Sequence, residues 1–483
     1  MSPACSRALN KSSPFFNILT KPDLPSGFLA LLASIFAPDE LLTSPESCWV
    51  YGYDNSRRHS LPQAVVLPHS HDQVVSVVMA CNQFKVPLTA RGRGTGTTGA
   101  SVPLRGGLVV SLERMDQVIE FAPDNRYIIV EPGMTNQQLQ TITKTQGFFW
   151  PPDPTSAAYC SIGGNLACNA AGPRAIKYGT PRENTLGLTA VTGAGKTIQV
   201  GVCTSKGVVG YDLTRLLIGS EGTLAIITRA TLKLTPLPAA SRTLRACYRN
   251  VSAAATAVSA IMSQTVTPSA LEFIDGNAIS LIRRHARCDL PPDAGALLMI
   301  EVDGLPEHLD TAAHAIATAA KNPGMIDIQL ARSEAEIQVL WQARKALAPL
   351  LRKLAPKKIN EDVVVPITQI PALIDGLDRL SKKHELAIIN FGHAGNGNIH
   401  VNLLLDPSQA EQSHKAQLCL DEIFTLVLSL NGTLSGEHGV GIEKRDFIDR
   451  ELTAHSIEIM RNIKHQFDPN GILNPDKMLP LVF

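Results

Sequence analysis

No two of the nine cysteines in this chain stand in a C-x-x-C pair. Cys5, Cys48, Cys81, Cys160, Cys168, Cys203, Cys247, Cys288 and Cys419 are scattered, which argues against an iron–sulfur cluster, a zinc knuckle or a disulfide framework. An excess of either charge is missing too. With 44 Lys and Arg against 43 Asp and Glu, the overall field gives no reason to expect nucleic acid or an anionic membrane as partner. Nor does any apolar run reach bilayer length: residues 28–36 come nearest, but are too short to span and too far in for a signal h-region. A soluble, reducing, cytoplasmic setting is expected, with peripheral attachment to an inner membrane left open. What the chain does have is length. Its 483 residues exceed one ordinary core, so at least two domains are expected, with a shared interface where small ligands often sit.

From residue 63 to about 236 the texture is one of short β-branched strands (64–67, 107–112, 127–131) punctuated by Gly, Pro, Asn and Asp. Between the first two, Val74, Val75, Val77, Val78 and Cys81 fall at helical spacing over 72–84, with Asp72 at the favourable end, which makes a βαβ-like start. Beyond Pro236 and Pro238, helical patterns at 251–262 and 309–321 alternate with strands such as 296–302, the mixture of an α+β domain on an antiparallel sheet. After a helix ending near Gln466, residues 467–475 are dense in turn formers and could fold back on the first domain. No internal repeat is visible.

Residues 91–99 are the most unusual stretch, with Gly92, Gly94, Gly96 and Gly99 interleaved with Arg and Thr. Glycines let backbone approach a ligand closely, and successive N–H groups with Thr hydroxyls can cradle phosphate oxygens. Gly94, Gly96 and Gly99 also spell G-x-G-x-x-G, but residues 101–107, with Pro103 and two glycines, cannot open the long helix that a Rossmann nicotinamide site requires. A second decoy, Gly193 to Thr197, mimics the end of a P-loop. Its flanks read as paired strands, so a hairpin turn is expected there. A flexible surface loop is the bland alternative for 91–99.

That loop, with Pro151-Pro152-Asp153-Pro154-Thr155, Ser161-Ile162-Gly163-Gly164-Asn165 and Gly219-Ser220-Glu221-Gly222-Thr223-Leu224, resembles in order and spacing the FAD domain of the vanillyl-alcohol-oxidase-type flavoproteins. Within that superfamily the likeness is to the D-lactate, glycolate and D-2-hydroxyglutarate dehydrogenases, from about residue 60 to the C-terminus. The resemblance implies an α+β fold: a vanillyl-alcohol-oxidase-type (p-cresol-methylhydroxylase-type) FAD-binding domain at 61–238 and a ferredoxin-like substrate domain with an antiparallel sheet at 239–430. An N-terminal helical or irregular segment would occupy 1–60, and residues 431–483 would complete the active site and return to the FAD domain. Arg91, Gly92, Gly94, Thr95, Gly96, Thr155, Ser161, Gly164, Asn165, Glu221 and Gly222 are the implied cofactor binders. Asn474 resembles a C-terminal Asn that returns towards the cofactor, although a helix-stop turn explains it equally well. Some relatives attach the flavin through a His or Cys near the glycine-rich loop; residues 91–101 contain neither, so noncovalent FAD is expected.

His393 and His400 flank a tight Gly/Asn turn, so two antiparallel strands could bring both imidazoles onto one ion. His400 and Asn402 share a face because side chains alternate along a strand. Glu437 and His438, in a polar, glycine-flanked stretch, sit badly in a plain core. Two His and one Glu with an open position is a catalytic zinc-type set. The resemblance agrees: the hydroxy-acid dehydrogenases carry G-H-x-G-[DN]-G-N-x-H and G-E-H-G-x-G, which implies a divalent ion, zinc or manganese, on His393, His400 and Glu437, with His438 facing the substrate. A lone hydrogen-bonded structural imidazole is the competing explanation for any one of them.

A planar guanidinium suits a substrate carboxylate, and Arg344 matches the family position for that role; a solvated Arg on an amphipathic helix reads the same way. Where relatives place a Lys for a second carboxylate, this chain has Asn360, with Lys358 two residues earlier. The expected chemistry is oxidation of a small D-2-hydroxy acid, with the metal on its α-hydroxyl and carboxylate, Arg344 and Asn402 orienting it, His438 as base and the hydride passing to flavin N5. The acceptor beyond the flavin stays open among a quinone, a cytochrome and an electron-transfer flavoprotein, and a homodimer stays open too. The rivals are a same-fold enzyme acting on a sugar or aryl alcohol, a metal-dependent hydrolase without redox role, and a noncatalytic flavin-binding subunit.

Overall fold

Apolar strand runs broken by turn formers build two small sheets in the first half of the chain. In this computed structural model the described residues are 23–285, 290–331 and 333–481. Residues 1–22 of the N-terminal segment, Cys5 and Cys288 lie outside them. The first sheet orders its strands Leu41–Leu42, Ala64–Val66, Leu108–Ser111, Leu88–Arg91, the last three parallel. The helix His71–Phe84 makes the crossover between Ala64–Val66 and Leu88–Arg91. Ser70 caps it by accepting from the Gln73 N–H, and Val74, Val77, Val78 and Cys81 are buried as their spacing requires. The apolar 28–36 stretch is a short helix, Phe28–Ile35, whose Phe28 and Leu32 are fully buried in this core. Among the described residues no helix is long and apolar enough to cross a membrane.

The second sheet is antiparallel and five-stranded: Val118–Ala122, Tyr127–Val130, Ala225–Lys233, Thr185–Thr192, Thr197–Gly201. The P-loop look-alike is a hairpin turn closed by Gly195 N–H to Thr192 O and Thr192 N–H to Lys196 O, with Gly195 at φ +75°. After the helix Ala454–Phe467 the chain end returns to this half of the molecule. Leu88 N–H donates to Ile472 O and Asn474 N–H to Leu88 O, which extends the first sheet along its Leu88 edge.

A seven-stranded antiparallel sheet fills the middle of the chain, ordered Met325–Leu330, Ala240–Tyr248, Ala296–Gly304, Ala270–Asp275, Ala387–His393, Asn398–Leu405, Lys357–Val364. Its first four strands have the 4-1-3-2 arrangement of a ferredoxin-like unit, with crossover helices Val251–Met262 and Pro306–Ala319. The last three repeat most of that topology around Ile370–His384. The two units meet edge to edge where Ala270–Asp275 pairs with Ala387–His393. The four helices Val251–Met262, Pro306–Ala319, Ile370–His384 and Ala410–Ser429 bury one face in the main core, while Gly276–His285 and Glu334–Leu354 cover part of the other. The uncovered end of that second face is turned towards the glycine-rich loop.

Candidate functional site

The loop that leaves the strand Leu88–Arg91 runs against the start of the helix Ile162–Cys168, so closely that only glycine fits. A Cβ on Gly92 would lie 2.4 Å from Ser161 Oγ. Ser161 caps that helix, its hydroxyl accepting from Gly164 N–H. These segments form one side of a cavity of about 710 Å³, and Arg91, Gly92, Gly94, Thr95, Gly96, Thr155, Ser161, Gly164, Asn165, Glu221 and Gly222 all line it. On this side of the cavity Asp54 Oδ2, Thr97 Oγ1 and Asn165 Nδ2 are buried without a hydrogen-bond partner. Orphans of this kind are costly unless a ligand satisfies them, and the heteroatom-rich ribityl chain and isoalloxazine edge of a flavin carry the complementary groups.

Several sequence-assigned binders use their side chains differently from expectation. The Arg91 guanidinium donates to Tyr53 O and Val50 O, tying the loop to the N-terminal segment. The Glu221 carboxylate accepts from Val440 and Gly441 N–H at 2.6 and 2.8 Å. Asn474 does not line the cavity; its amide donates to Ala100 O and Glu221 O at 2.9 and 2.7 Å. All three brace the cradle through polar ends engaged by neighbouring groups, Asn474 Oδ1 accepting from Lys477.

The opposite wall comes from the seven-stranded sheet. Strand pairing places Phe391 opposite His400, His393 opposite Glu272, and Asp362 opposite His400 on the other side, so all share one face. His393 Nε2 and His400 Nε2 converge on Glu437 Oε1, at 3.3 and 3.8 Å. The His400 and His438 rings stack with centroids 5.2 Å apart. Burial alone would depress the His393 imidazole, but Glu272 and Glu437 on either side lift it to about 10. Burial, with His393 and His438 close by, drops His400 to about 3.

A set of Asp362, His400, Glu437 and His438 can also bring one ligand atom each within 4.8 Å of the others. Asp362 is the weaker ligand of the two sets, because its oxygens are already committed. Oδ2 accepts from the backbone N–H of Gly436, Glu437 and His438 at 2.9, 2.7 and 2.9 Å, and Oδ1 from Asn398. His393, by contrast, has its Nδ1 on Glu272 Oε1 at 2.5 Å, which leaves Nε2 aimed at Glu437. A carboxylate behind a histidine is the usual support of a metal-binding imidazole.

Further along this wall, Arg344 lies over the Phe391 ring at 4.6 Å, and its Nε donates to Glu272 Oε2 at 2.7 Å. Lys345 and Arg352, from the same helix, line the cavity with Lys358 and Asn360. Asn402 departs from expectation. It shares the face of His400 but is fully buried off the cavity, its amide donating to Ile389 O and His400 O at 3.0 Å each. Its amide NH₂ thus ties down the strand that carries His400, while its Oδ1 is buried without a partner.

Residues 62–201 match the model of an FAD binding domain, and residues 237–478 that of the FAD linked oxidases, C-terminal domain. The chain belongs to the FAD-linked oxidases. It is similar to the glycolate oxidase subunit GlcD of Bacillus subtilis, 36% identical over 448 residues covering 92% of this chain and 95% of that one. It also resembles the D-2-hydroxyglutarate dehydrogenase of Stutzerimonas stutzeri, 32% identical over 460 residues covering 92% and 97%. The crystal structure of p-cresol methylhydroxylase with substrate bound superposes with a TM-score of 0.76 at 16% identity, covering 94% of this chain and 97% of that one, which shows the shared fold. The cavity wall of this FAD-linked oxidase is thus the meeting place of its two family domains.

Sequence reasoning missed two carboxylates of this FAD-linked oxidase. Glu272 joins Arg344 to His393, and Asp362 collects the three backbone N–H groups that shape the Gly436–Glu437–His438 turn. Glu272 lies in the strand Ala270–Asp275 and Asp362 in Lys357–Val364, both buried and on the face shared with the histidines. An acid at an inward position of a buried strand is the signal that could have found them.

Proposed function

We propose that this FAD-linked oxidase converts a small D-2-hydroxy acid to its 2-oxo acid. The observation that carries the reading is the convergence of His393 and His400 on Glu437, beside His438, with His400, Glu437 and His438 lining the cavity whose other wall is the FAD cradle. An enzyme of this fold acting on a sugar or an aryl alcohol would not need that acid–imidazole set. The names of the relatives, glycolate oxidase and D-2-hydroxyglutarate dehydrogenase, support the same substrate class.

His393, His400 and Glu437 would hold a divalent ion, zinc or manganese, through two nitrogens and one oxygen; such an ion supplies a Lewis acid that lowers the pKa of an α-hydroxyl. FAD, held without a covalent bond by the glycine-rich loop and the segments around Ser161 and Glu221, supplies the two-electron acceptor. The remaining work falls to side chains. Arg344, with its Nε committed to Glu272, keeps its terminal nitrogens for the substrate carboxylate. His438 takes the hydroxyl proton, and its neighbour His400, kept neutral by burial, does not compete for it. Asp362 fixes the turn from which His438 projects. Lys358 and Asn360 meet the far end of the acid.

Anaerobic absorption spectra of the yellow holoenzyme, taken before and after adding D-lactate, glycolate and D-2-hydroxyglutarate, test the reading. At least one of them should bleach the flavin band, and failure of all three would refute it.

A further inference from the structure

The His438 imidazole is held by its backbone more than by its ring. Its Nδ1 is buried without a hydrogen-bond partner, and its ring stacks on that of His400. Where it stands is therefore decided by the segment 434–444 that carries it. Backbone pairing of Thr433 with Val364 fixes where that segment leaves the sheet. Asp362 holds its middle, Oδ2 accepting from Gly436, Glu437 and His438 N–H. Lys444 brings its far end back. The Lys444 side chain is 1% exposed, and Nζ donates to Leu434 O at 2.7 Å and to Asp362 O at 3.1 Å, with Glu361 Oε2 3.4 Å away as its counter-charge. Three protons on one tetrahedral nitrogen thus meet three acceptors, two from the strand Lys357–Val364 and one from the start of the segment. Lysine is almost never buried this fully without a partner, and an apolar pair of similar volume would fill the space at less desolvation cost. The use of this ammonium lies in where it holds the chain.

We propose that Lys444 is a positioning residue for the proton transfer: by closing the segment 434–444 onto the main chain of Asp362, it sets where the His438 imidazole stands over the substrate. The inference rests on the hydroxy-acid reading and adds to it a residue outside the cavity. Lys444 does not line that cavity, so it acts on the base through Asp362 and the turn, while Arg344 and the rest of the substrate wall are anchored independently of it. Its loss is expected in the rate of the chemical step and not in substrate affinity.

Lys444→Met alone strands the Glu361 carboxylate in the interior, so the test uses the double variant Glu361→Leu/Lys444→Met, which removes both charges at similar volume. This holoenzyme should keep its native FAD content and a near-native melting temperature. Its rate of anaerobic flavin reduction by the best acid of the panel should fall about tenfold or more, the scale of a small misplacement of a reacting group, while the acid concentration giving half that rate changes less than about threefold. A rate within about twofold of native, or equal losses of rate and affinity, would overturn the proposal. So would loss of FAD or of the fold in the double variant, since Lys444 would then serve the fold alone. Hydrogen exchange separates this from failure of the parent reading. In the oxidised holoenzyme without any acid, the Gly436, Glu437 and His438 amides should exchange about tenfold faster in the double variant. If no acid bleaches the native flavin, the hydroxy-acid reading fails; faster exchange confined to 434–441 then still supports closure of the segment by Lys444, and unchanged exchange overturns it.

Discussion

Replacing Glu272 with Gln tests the geometry most directly, because the substitution keeps the shape and removes one charge. The Glu272 side chain is 1% exposed and divides its oxygens between His393 Nδ1 at 2.5 Å and Arg344 Nε at 2.7 Å. A carboxylate accepts from both donors; an amide has only one acceptor oxygen, and its NH₂ meets a donor on whichever side it faces. Either Arg344 or His393 therefore loses its anchor. If the freed group is His393, the tautomer that points Nε2 at Glu437 is no longer fixed. If it is Arg344, the guanidinium proposed to face the substrate carboxylate swings on its stem. Carboxylates behind metal-binding histidines are worth about 10- to 100-fold in metal affinity or activity, and that is the expected loss in kcat/KM. The assay is steady-state turnover with the best acid of the panel, paired with zinc and manganese titration of the metal-free protein. The FAD content should stay native, since Glu272 does not line the cofactor cradle. A Glu272→Gln enzyme with native kcat/KM and native metal affinity would refute the claim that this carboxylate organises the site.

His438→Ala should remain yellow and bind substrate, yet fail to reduce its flavin in anaerobic mixing; normal bleaching would remove His438 from the mechanism. Stripping the enzyme with a chelator should abolish turnover and leave the flavin spectrum in place, with activity restored by zinc or manganese; a fully active metal-free enzyme would show that His393, His400 and Glu437 are structural. Gly92→Ala drives a Cβ to 2.4 Å from Ser161 Oγ, and a fluorescence titration should find FAD binding weakened about tenfold or more, the usual scale of overpacking.

How far the sequence led depended on how local each signal was. The pair of histidines around the 394–397 turn was legible because a hairpin brings its own ends together, and the strands Ala387–His393 and Asn398–Leu405 place them as spacing requires. The glycine-rich loop was legible because few other structures need that many glycines. Glu272 and Asp362 were not, since each matters through a partner more than 70 residues away or through three consecutive N–H groups that only the folded turn aligns. Asn402 shows the limit of strand periodicity, which gives the face but not what covers it. The twofold repetition of the ferredoxin-like topology was equally hidden, because its halves share strand order without sharing residue pattern. Their junction is where Glu272 meets His393, so the site sits on the one sheet edge that neither half could have presented alone.

The turn that carries Glu437 and His438 is held from both domains at once. Asp362 grips it from the seven-stranded sheet, while on the cradle side Gly172 N–H donates to Glu437 Oε2 at 2.7 Å, Glu221 accepts from Val440 and Gly441, and Thr98 O accepts from Ile442 N–H at 2.8 Å. Thr98 and Glu221 belong to the glycine-rich loop and the segment that line the cofactor cradle. The same backbone that shapes the cradle thus sets where Glu437 and His438 stand. Ile176 packs against Gly395, where a Cβ would meet it at 1.9 Å, so the His393–His400 turn is also pressed into place from the cradle domain. Because these contacts cross the interface in several places, substrate-site geometry and cofactor-site geometry are one property of the folded chain. A change that loosens either wall is felt at both.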